Sequence, residues 1–237
     1  MTKNKRATPG HKTIAKKEKF KKKSGQKKKI FKPPLIIGIT GPSGSGKTRL
    51  IAEISNLLKE KNKEHLLQVI DGDNYYNPLK GKTFKEREII NFDEPRIMMY
   101  PLLVNHVRSL MKGQTVKHKK YDFKQYTWGN QSITYKPKPV LIVAGHLIFC
   151  HQKLRNLFDI EVYMDIPADI RLQRRLKRDR ERGRPVELVL EQWERARLSY
   201  EKYIKKFEDQ ADIKFTSAIN PISLDLLVTK IVSVAEK

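Results

Sequence analysis

The stretch Gly41-Pro42-Ser43-Gly44-Ser45-Gly46-Lys47-Thr48 decides the reading of this chain. It satisfies the pattern G-x-x-x-x-G-K-[ST] at every fixed position. Before it stands an apolar run, Leu35-Ile36-Ile37-Gly38-Ile39; after it, Leu50, Ile51, Ile54, Leu57 and Leu58 recur at helical spacing. Buried strand, glycine-rich turn and helix are the context in which such a pattern cradles phosphate. The glycines let the backbone bend until successive N–H groups converge on phosphate oxygens, and the helix N-terminus adds positive potential. Gly41, Ser43, Gly44, Ser45, Gly46, Lys47, Thr48 and Arg49 are therefore expected to hold a nucleoside triphosphate, ATP or GTP. Within this set Lys47 reaches the β- and γ-phosphates and Thr48 ligates Mg2+.

Further along, strand-like apolar runs recur at Leu66–Ile70, Val140–Ala144, Ile160–Ile166 and Asp212–Phe215, separated by helix-patterned segments near 101–112, 169–180, 186–209 and 223–235. With the helix near 49–61, this alternation predicts an α/β fold, a P-loop NTPase-type parallel sheet with helices on both faces. Segment 113–139 breaks the rhythm. Its alternating Tyr121, Phe123, Tyr126, Trp128, Ile133 and Tyr135 predict a small β-hairpin insertion, able to offer a stacking wall to a planar ligand.

The chain has 237 residues and a formal net charge of +24, unevenly spread. Residues 1–32 hold thirteen lysines and Arg6 against one acid, Glu18. Few large apolar residues stand among them, so residues 1–34, closed by Pro33-Pro34, are expected to be a disordered basic tail. The folded domain is expected over 35–237. A lysine block of this density suits nonspecific nucleic-acid contact or nuclear targeting, with a solvated extension as the plainer alternative. No apolar run approaches membrane-spanning length, and the single Cys150 fits a reducing compartment. The expected location is cytoplasmic, with the nucleus as the alternative the tail raises.

Two further clusters carry chemistry. Asp71-Gly72-Asp73 follows the second strand, at the carboxyl edge where open α/β sheets bind ligands. A carboxylate there can accept a hydroxyl proton or hold magnesium, although Asp-Gly-Asp also suits a turn or cap. The run from Arg171 to Arg184 is dense in guanidinium. Arg171, Arg174, Arg175 and Arg178 are spaced to share one side of a helix, and Gly183 and Pro185 mark a break that puts Arg182 and Arg184 on a mobile lid. Guanidinium forks neutralise the charge that spreads over a departing phosphoryl group.

Taken together, the loop 41–48, Asp73-x-x-Tyr76, Asn91-Phe92-Asp93-Glu94-Pro95, Tyr121-Asp122-Phe123, the run 163–172, Arg174-Arg175, Arg178-Asp179 and Glu181-Arg182-Gly183-Arg184 resemble the uridine/cytidine kinase family, with phosphoribulokinase as a more distant cousin. The resemblance covers about residues 35–216. It implies that Asp73 is the general base toward the ribose 5′-hydroxyl; the metal is expected on Thr48 of the glycine loop and on Asp73 at the strand end. The resemblance places Asp93 and Arg175 on the ribose hydroxyls, Tyr76 near the substrate, and Tyr121, Phe123 and Gln192 around the pyrimidine. Lys47, Arg178 and Arg182 would act on the phosphates, and Arg184 joins the substrate-binding set. Three departures stand out. Ala144-Gly145, followed by His146, replaces the family's Glu-Gly pair; Tyr126 takes the place of a histidine that reads the base edge; and the lid is one residue shorter between Asp179 and Arg182.

The leading expectation is a nucleoside kinase acting on uridine or cytidine with ATP or GTP. A regulatory or RNA-associated protein with reduced or lost kinase activity is the alternative, drawn from Ala144 and the basic tail. A third reading keeps the kinase and changes the small hydroxylated substrate. Oligomeric state is left open.

Overall fold

The computed structural model describes residues 1–2, 32–216 and 219–235. The basic tail expected over 1–34 lies, except at its two ends, outside the described residues.

The central sheet is parallel and has five strands: β1 (Leu35–Thr40), β2 (Leu67–Asp71), β5 (Val140–Ala144), β6 (Ile160–Asp165) and β7 (Ile213–Thr216), in the spatial order β2-β5-β1-β6-β7. In register, Ile37 of β1 stands between Ile142 of β5 and Ile160 of β6. Alternation along each strand sends side chains to opposite faces. Ile37, Ile39, Val140, Ile142, Val162 and Met164 pack on one face with α1 (Lys47–Glu60) and α7 (Pro221–Ala235). Ile36, Leu141, Val143 and Tyr163 pack on the other with α3 (Tyr100–Met111) and α4 (Gln152–Arg155). Every residue of β5 is buried, as a strand covered on both sides must be. The α/β architecture with helices on both faces is as expected.

The hairpin is also present, as a separate two-stranded antiparallel sheet of β3 (Val116–Asp122) and β4 (Thr127–Tyr135), with a bulge between Lys119 and Tyr121. Its tip turns on the Asp122 carboxylate, which accepts from the N–H groups of Lys124 and Gln125 at 2.8 and 3.1 Å. Tyr126 closes the tip in the left-handed region at φ 52°.

One expectation needs correction, and one element was not expected. The segment 186–209 is not one helix: α6 (Val186–Ser199) gives way to a widened turn over Tyr200–Ile204 and a tight one over Lys205–Phe207. Tyr200, Ile204 and Phe207 from these turns are all buried in one core. The chain also forms a short α2 (Phe84–Glu88), closed by a reciprocal Thr83–Glu86 cap, that the apolar pattern does not mark because none of its residues is buried.

At the carboxyl edge of the sheet, four segments converge: the glycine loop after β1, Asp71 to Tyr76 after β2, Gly145-His146 after β5, and Pro167 leading from β6 into α5 (Ala168–Glu181). Ligands of open parallel sheets bind at this edge.

Candidate active site

The loop after β1 is held by contacts that only glycine permits. Gly41 and Gly44 lie at φ 138° and 81°, and a Cβ on either would stand 2.5 Å from the Met164 carbonyl oxygen or 2.7 Å from that of Arg171. The loop is thus pressed against β6 and α5. Gly46, at φ 97°, opens α1 without a side-chain cap and without an acid in the first turn, leaving the helix's first N–H groups for an anion. Lys47 Nζ donates to the carbonyl oxygens of Gly41 and Pro42 at 2.8 and 3.2 Å. Its pKa is lowered to about 8, chiefly by burial, with Arg178 adding repulsion against the pull of Asp73. The buried Ser45 hydroxyl has no hydrogen-bond partner. A glycine cradle, free helix N–H groups and a desolvated ammonium fit a polyphosphate. Thr48 is exposed at the mouth of the loop. Magnesium usually takes one or two protein oxygens beside substrate phosphates, a habit that the Thr48 hydroxyl and a carboxylate from β2 suit. Arg49 is exposed on α1, with its Nε 3.5 Å from Glu53.

Asp71 and Asp73 have divergent surroundings. The Asp71 carboxylate accepts from the Asp73 N–H at 3.0 Å, forming the turn that starts the segment. Although its side chain opens to solvent, crowding by protein and then the charge of Asp73 push its carboxyl up to about 7. Burial works the same way on Asp73, but hydrogen bonds from His146 and Tyr76 and the charge of Lys47 outweigh it and hold Asp73 at about 2. The buried His146 ring lies between two carboxylates. Its Nδ1 is 3.5 Å from Asp73 and 3.3 Å from the Tyr76 hydroxyl; its Nε2 is 3.5 Å from Asp93 and 3.2 Å from the Phe92 carbonyl oxygen. Asp93 is itself placed by Asn91, whose side chain accepts from the Asp93 N–H at 3.0 Å and donates to Ser199 of α6 at 3.0 Å.

The arginine segment is ordered around Asp179. This residue is fully buried, and its carboxylate meets Arg178 Nε at 2.9 Å, Arg182 at 3.4 Å, Arg184 at 3.5 Å and Arg175 at 3.6 Å. Burial alone would raise its pKa; the hydrogen bonds from Arg178 and the surrounding guanidinium charge reverse that and lower it. Arg175 also reaches Asp93 at 3.6 Å, and Arg178 reaches Ser43 Oγ at 3.4 Å, across the cleft from helix to glycine loop.

One expectation about the arginines changes. Arg171 does not share the cleft-facing side: its Nε donates to the Ile166 carbonyl oxygen at 2.8 Å, and its guanidinium is buried between Trp193 and Tyr200. The segment expected to form the arginine lid rests, with Arg182 and Arg184, on the hairpin tip. Arg182 covers the Phe123 ring at 4.4 Å, and Arg184 covers Tyr126 at 4.9 Å while donating to the Phe123 carbonyl oxygen at 3.0 Å. Stacking of guanidinium on aromatic rings docks this segment to the hairpin tip.

The aromatic residues of the hairpin pack with rings from neighbouring segments. Tyr121 packs edge-on to Tyr76 at 5.3 Å and to Phe123 at 5.3 Å, while Phe92 stacks on Tyr126 at 5.5 Å. One cavity brings together Ser43, Asp73, Tyr76, Asp93, Tyr121, Phe123, Tyr126, Arg175, Arg178, Arg182, Arg184 and Gln192, all of them expected from sequence. It also takes in Phe92, His146 and Arg195, to which sequence reasoning assigned no role. His146 carried a signal in its position directly after Gly145 at a strand end; Asp179 carried one as the lone acid between Arg178 and Arg180.

Comparison with known proteins agrees with this geometry. Residues 36–220 match the model of the Phosphoribulokinase / Uridine kinase family. A uridine kinase of Halalkalibacterium halodurans is 37% identical over 209 residues, 87% of this chain and 97% of the relative. A uridine kinase of Streptococcus mutans is 37% identical over 207 residues, 86% of this chain and 97% of the relative. Among solved structures, a putative fructose transport system kinase from Silicibacter sp. TM1040 superposes with a TM-score of 0.59 at 17% identity, covering 77% of this chain and 90% of that one, a likeness of fold. With the phosphate loop, the carboxylate pair and the arginine helix all in place on a five-stranded parallel sheet, the chain is a P-loop phosphotransferase and belongs to the phosphoribulokinase / uridine kinase family.

Proposed function

We propose that the protein transfers the γ-phosphoryl group of ATP or GTP to the 5′-hydroxyl of uridine or cytidine. The observation that carries this reading is the shared cavity, in which Asp73 and Asp93 lie between an aromatic wall and the arginines that face the glycine loop. The nucleoside base would lie against Tyr121, Phe123 and Tyr126, with Gln192 offering both a donor and an acceptor to its edge. Asp93 and Arg175 would hold the ribose hydroxyls. That arrangement turns the 5′-hydroxyl toward Asp73, which accepts its proton as the oxygen attacks phosphorus. A carboxylate held at about 2 is a weak base. It suffices where the proton leaves late and bond formation lags, as in a loose phosphoryl-transfer transition state. Lys47, Arg178 and Arg182 would neutralise the oxygens of the departing phosphoryl group.

Thr48 with Asp73 would hold a magnesium ion, which would supply positive charge to the phosphate oxygens. Asp71, at the same rim, is the second carboxylate in reach of that role, since Ala144 offers none.

Release of ADP or GDP with each nucleoside in turn tests the reading. Turnover with uridine or cytidine supports it, and turnover only with another hydroxylated substrate would replace it within the kinase class. No observation favours the regulatory alternative. Among the described residues no helix is long and apolar enough to cross a membrane, and a cytoplasmic place belongs to the same proposal. The basic residues near the N-terminus add nonspecific polyanion contact, which a salt titration of RNA binding would reveal as a steep loss of affinity with little sequence dependence.

A further inference from the structure

We infer that Asp179 is a positioning residue that joins the phosphate subsite to the nucleoside subsite, so that the two substrates strengthen each other's binding. The inference rests on the proposed function and adds to it a coupling that no catalytic role requires.

The contacts run without a gap. Arg178 touches Ser43 of the glycine loop and Asp179. Arg182 touches Asp179 and covers Phe123. Arg184 touches Asp179, donates to the Phe123 carbonyl oxygen and covers Tyr126. Asp179 itself does not line the cavity and reaches the substrates only through its arginine partners. It lies on the buried side of α5, so its position is set by the helix and not by ligand.

Electrostatics give the arrangement its consequence. One carboxylate cannot neutralise four guanidinium groups, so surplus positive charge is held toward the cleft. A polyphosphate on the glycine loop draws on Arg178 and Arg182. Their long side chains then lose rotamer freedom, and through Asp179 and the ring contacts so do Arg184 and the hairpin tip. A nucleoside arriving second finds Phe123 and Tyr126 already ordered and bears less of that cost. In the reverse order, a base that fixes the two rings pre-orders Arg182 and Arg184 for the phosphates. Coupling between two sites must be equal in both directions, which makes the claim measurable.

The experiment is a binding cycle on the full-length protein. Uridine affinity is measured with and without saturating AMP-PNP and Mg2+, and AMP-PNP affinity with and without saturating uridine. The wild type is expected to show the same enhancement in both directions, about fivefold or more, within the range usual for coupled sites. In Asp179→Asn, which keeps the shape and removes the charge, the enhancement is expected to fall to within about twofold of unity. Arg184→Gln is expected to do the same while leaving Asp179 with its other arginine partners, and it decides the question if Asp179→Asn fails to fold. Two results overturn the inference: no enhancement in the wild type, or the wild-type enhancement persisting in a folded variant. Uridine that fails to bind with or without AMP-PNP would instead remove the nucleoside reading on which the inference stands, whereas independent binding of both ligands removes the coupling alone.

Discussion

His146 and Asp73 face each other at 3.5 Å, imidazole Nδ1 to carboxylate oxygen, at the point where the ends of β2 and β5 meet. These two strands are adjacent in the sheet and far apart in the chain, with Asp71 in register with Ala144. The same ring reaches Asp93 and the Phe92 carbonyl oxygen, so it braces both cavity carboxylates from behind. Its own backbone is tied down, because its carbonyl oxygen accepts from Thr40 Oγ1 at the root of the glycine loop. His146→Leu is expected to lower kcat about tenfold, the size of one buried hydrogen-bond partner lost. His146→Gln, which retains a donor toward Phe92, should recover part of that loss. Steady-state kinetics of the two variants decide it, and equal kcat in His146→Leu and the wild type would show that Asp73 needs no brace.

Asp73 gives a sharper expectation. Asp73→Asn keeps the shape and removes both the charge and the capacity to take a proton. It should lower kcat by about a hundredfold or more, with the nucleoside KM changed little, the signature of a group that acts in the transition state. Collapse of nucleoside binding with a normal residual rate would make Asp73 a binding residue.

The lysine of the glycine loop links activity to pH. In the free protein Lys47 is lowered to about 8, below its ordinary 10.5, because burial disfavours the ammonium. The folded-state value lies below the unfolded one, so the charged form burdens the fold below pH 8 and the burden lifts as pH rises through that value. A bound polyphosphate favours the ammonium and raises its pKa again. Nucleotide affinity is therefore expected to fall as pH climbs from about 7 to about 9, with proton uptake on binding above 8. Lys47→Arg, charged throughout, should flatten that slope. Lys47→Ala is expected to cut turnover by about a hundredfold or more with the fold intact. An unchanged slope in the arginine variant would assign the pH dependence to another group.

Gly44 tests the loop itself. Gly44→Ala would put a Cβ 2.7 Å from the Arg171 carbonyl oxygen at a φ of 81°. The left-handed conformation alone costs a non-glycine residue about 1 kcal/mol or more. Calorimetry should show a lowered Tm and nucleotide titration a weakened affinity. A variant with both unchanged would mean that the loop is not pressed against α5.

Much of this protein is set by local sequence. The glycine loop, its strand and its helix are contiguous, and their backbone requirements are written in residue types that few other arrangements tolerate. Continuous apolar runs foretold the strands of the sheet, alternation the hairpin and helical spacing the longer helices, because burial is a local demand on each element. Tertiary structure alone decided how the arginines divide. Helical spacing places Arg171 and Arg178 on one side, yet Arg171 turns back to the Ile166 carbonyl oxygen between Trp193 and Tyr200, while Arg178 crosses to Ser43. Tertiary structure likewise docked Arg182 and Arg184 on the hairpin and set His146 between Asp73 and Asp93. A guanidinium or an imidazole can serve equally well in a core, on a surface or in a cleft. Which of these it does depends on the carboxylates and rings that distant segments bring within reach, and that pairing exists only once the sheet has closed.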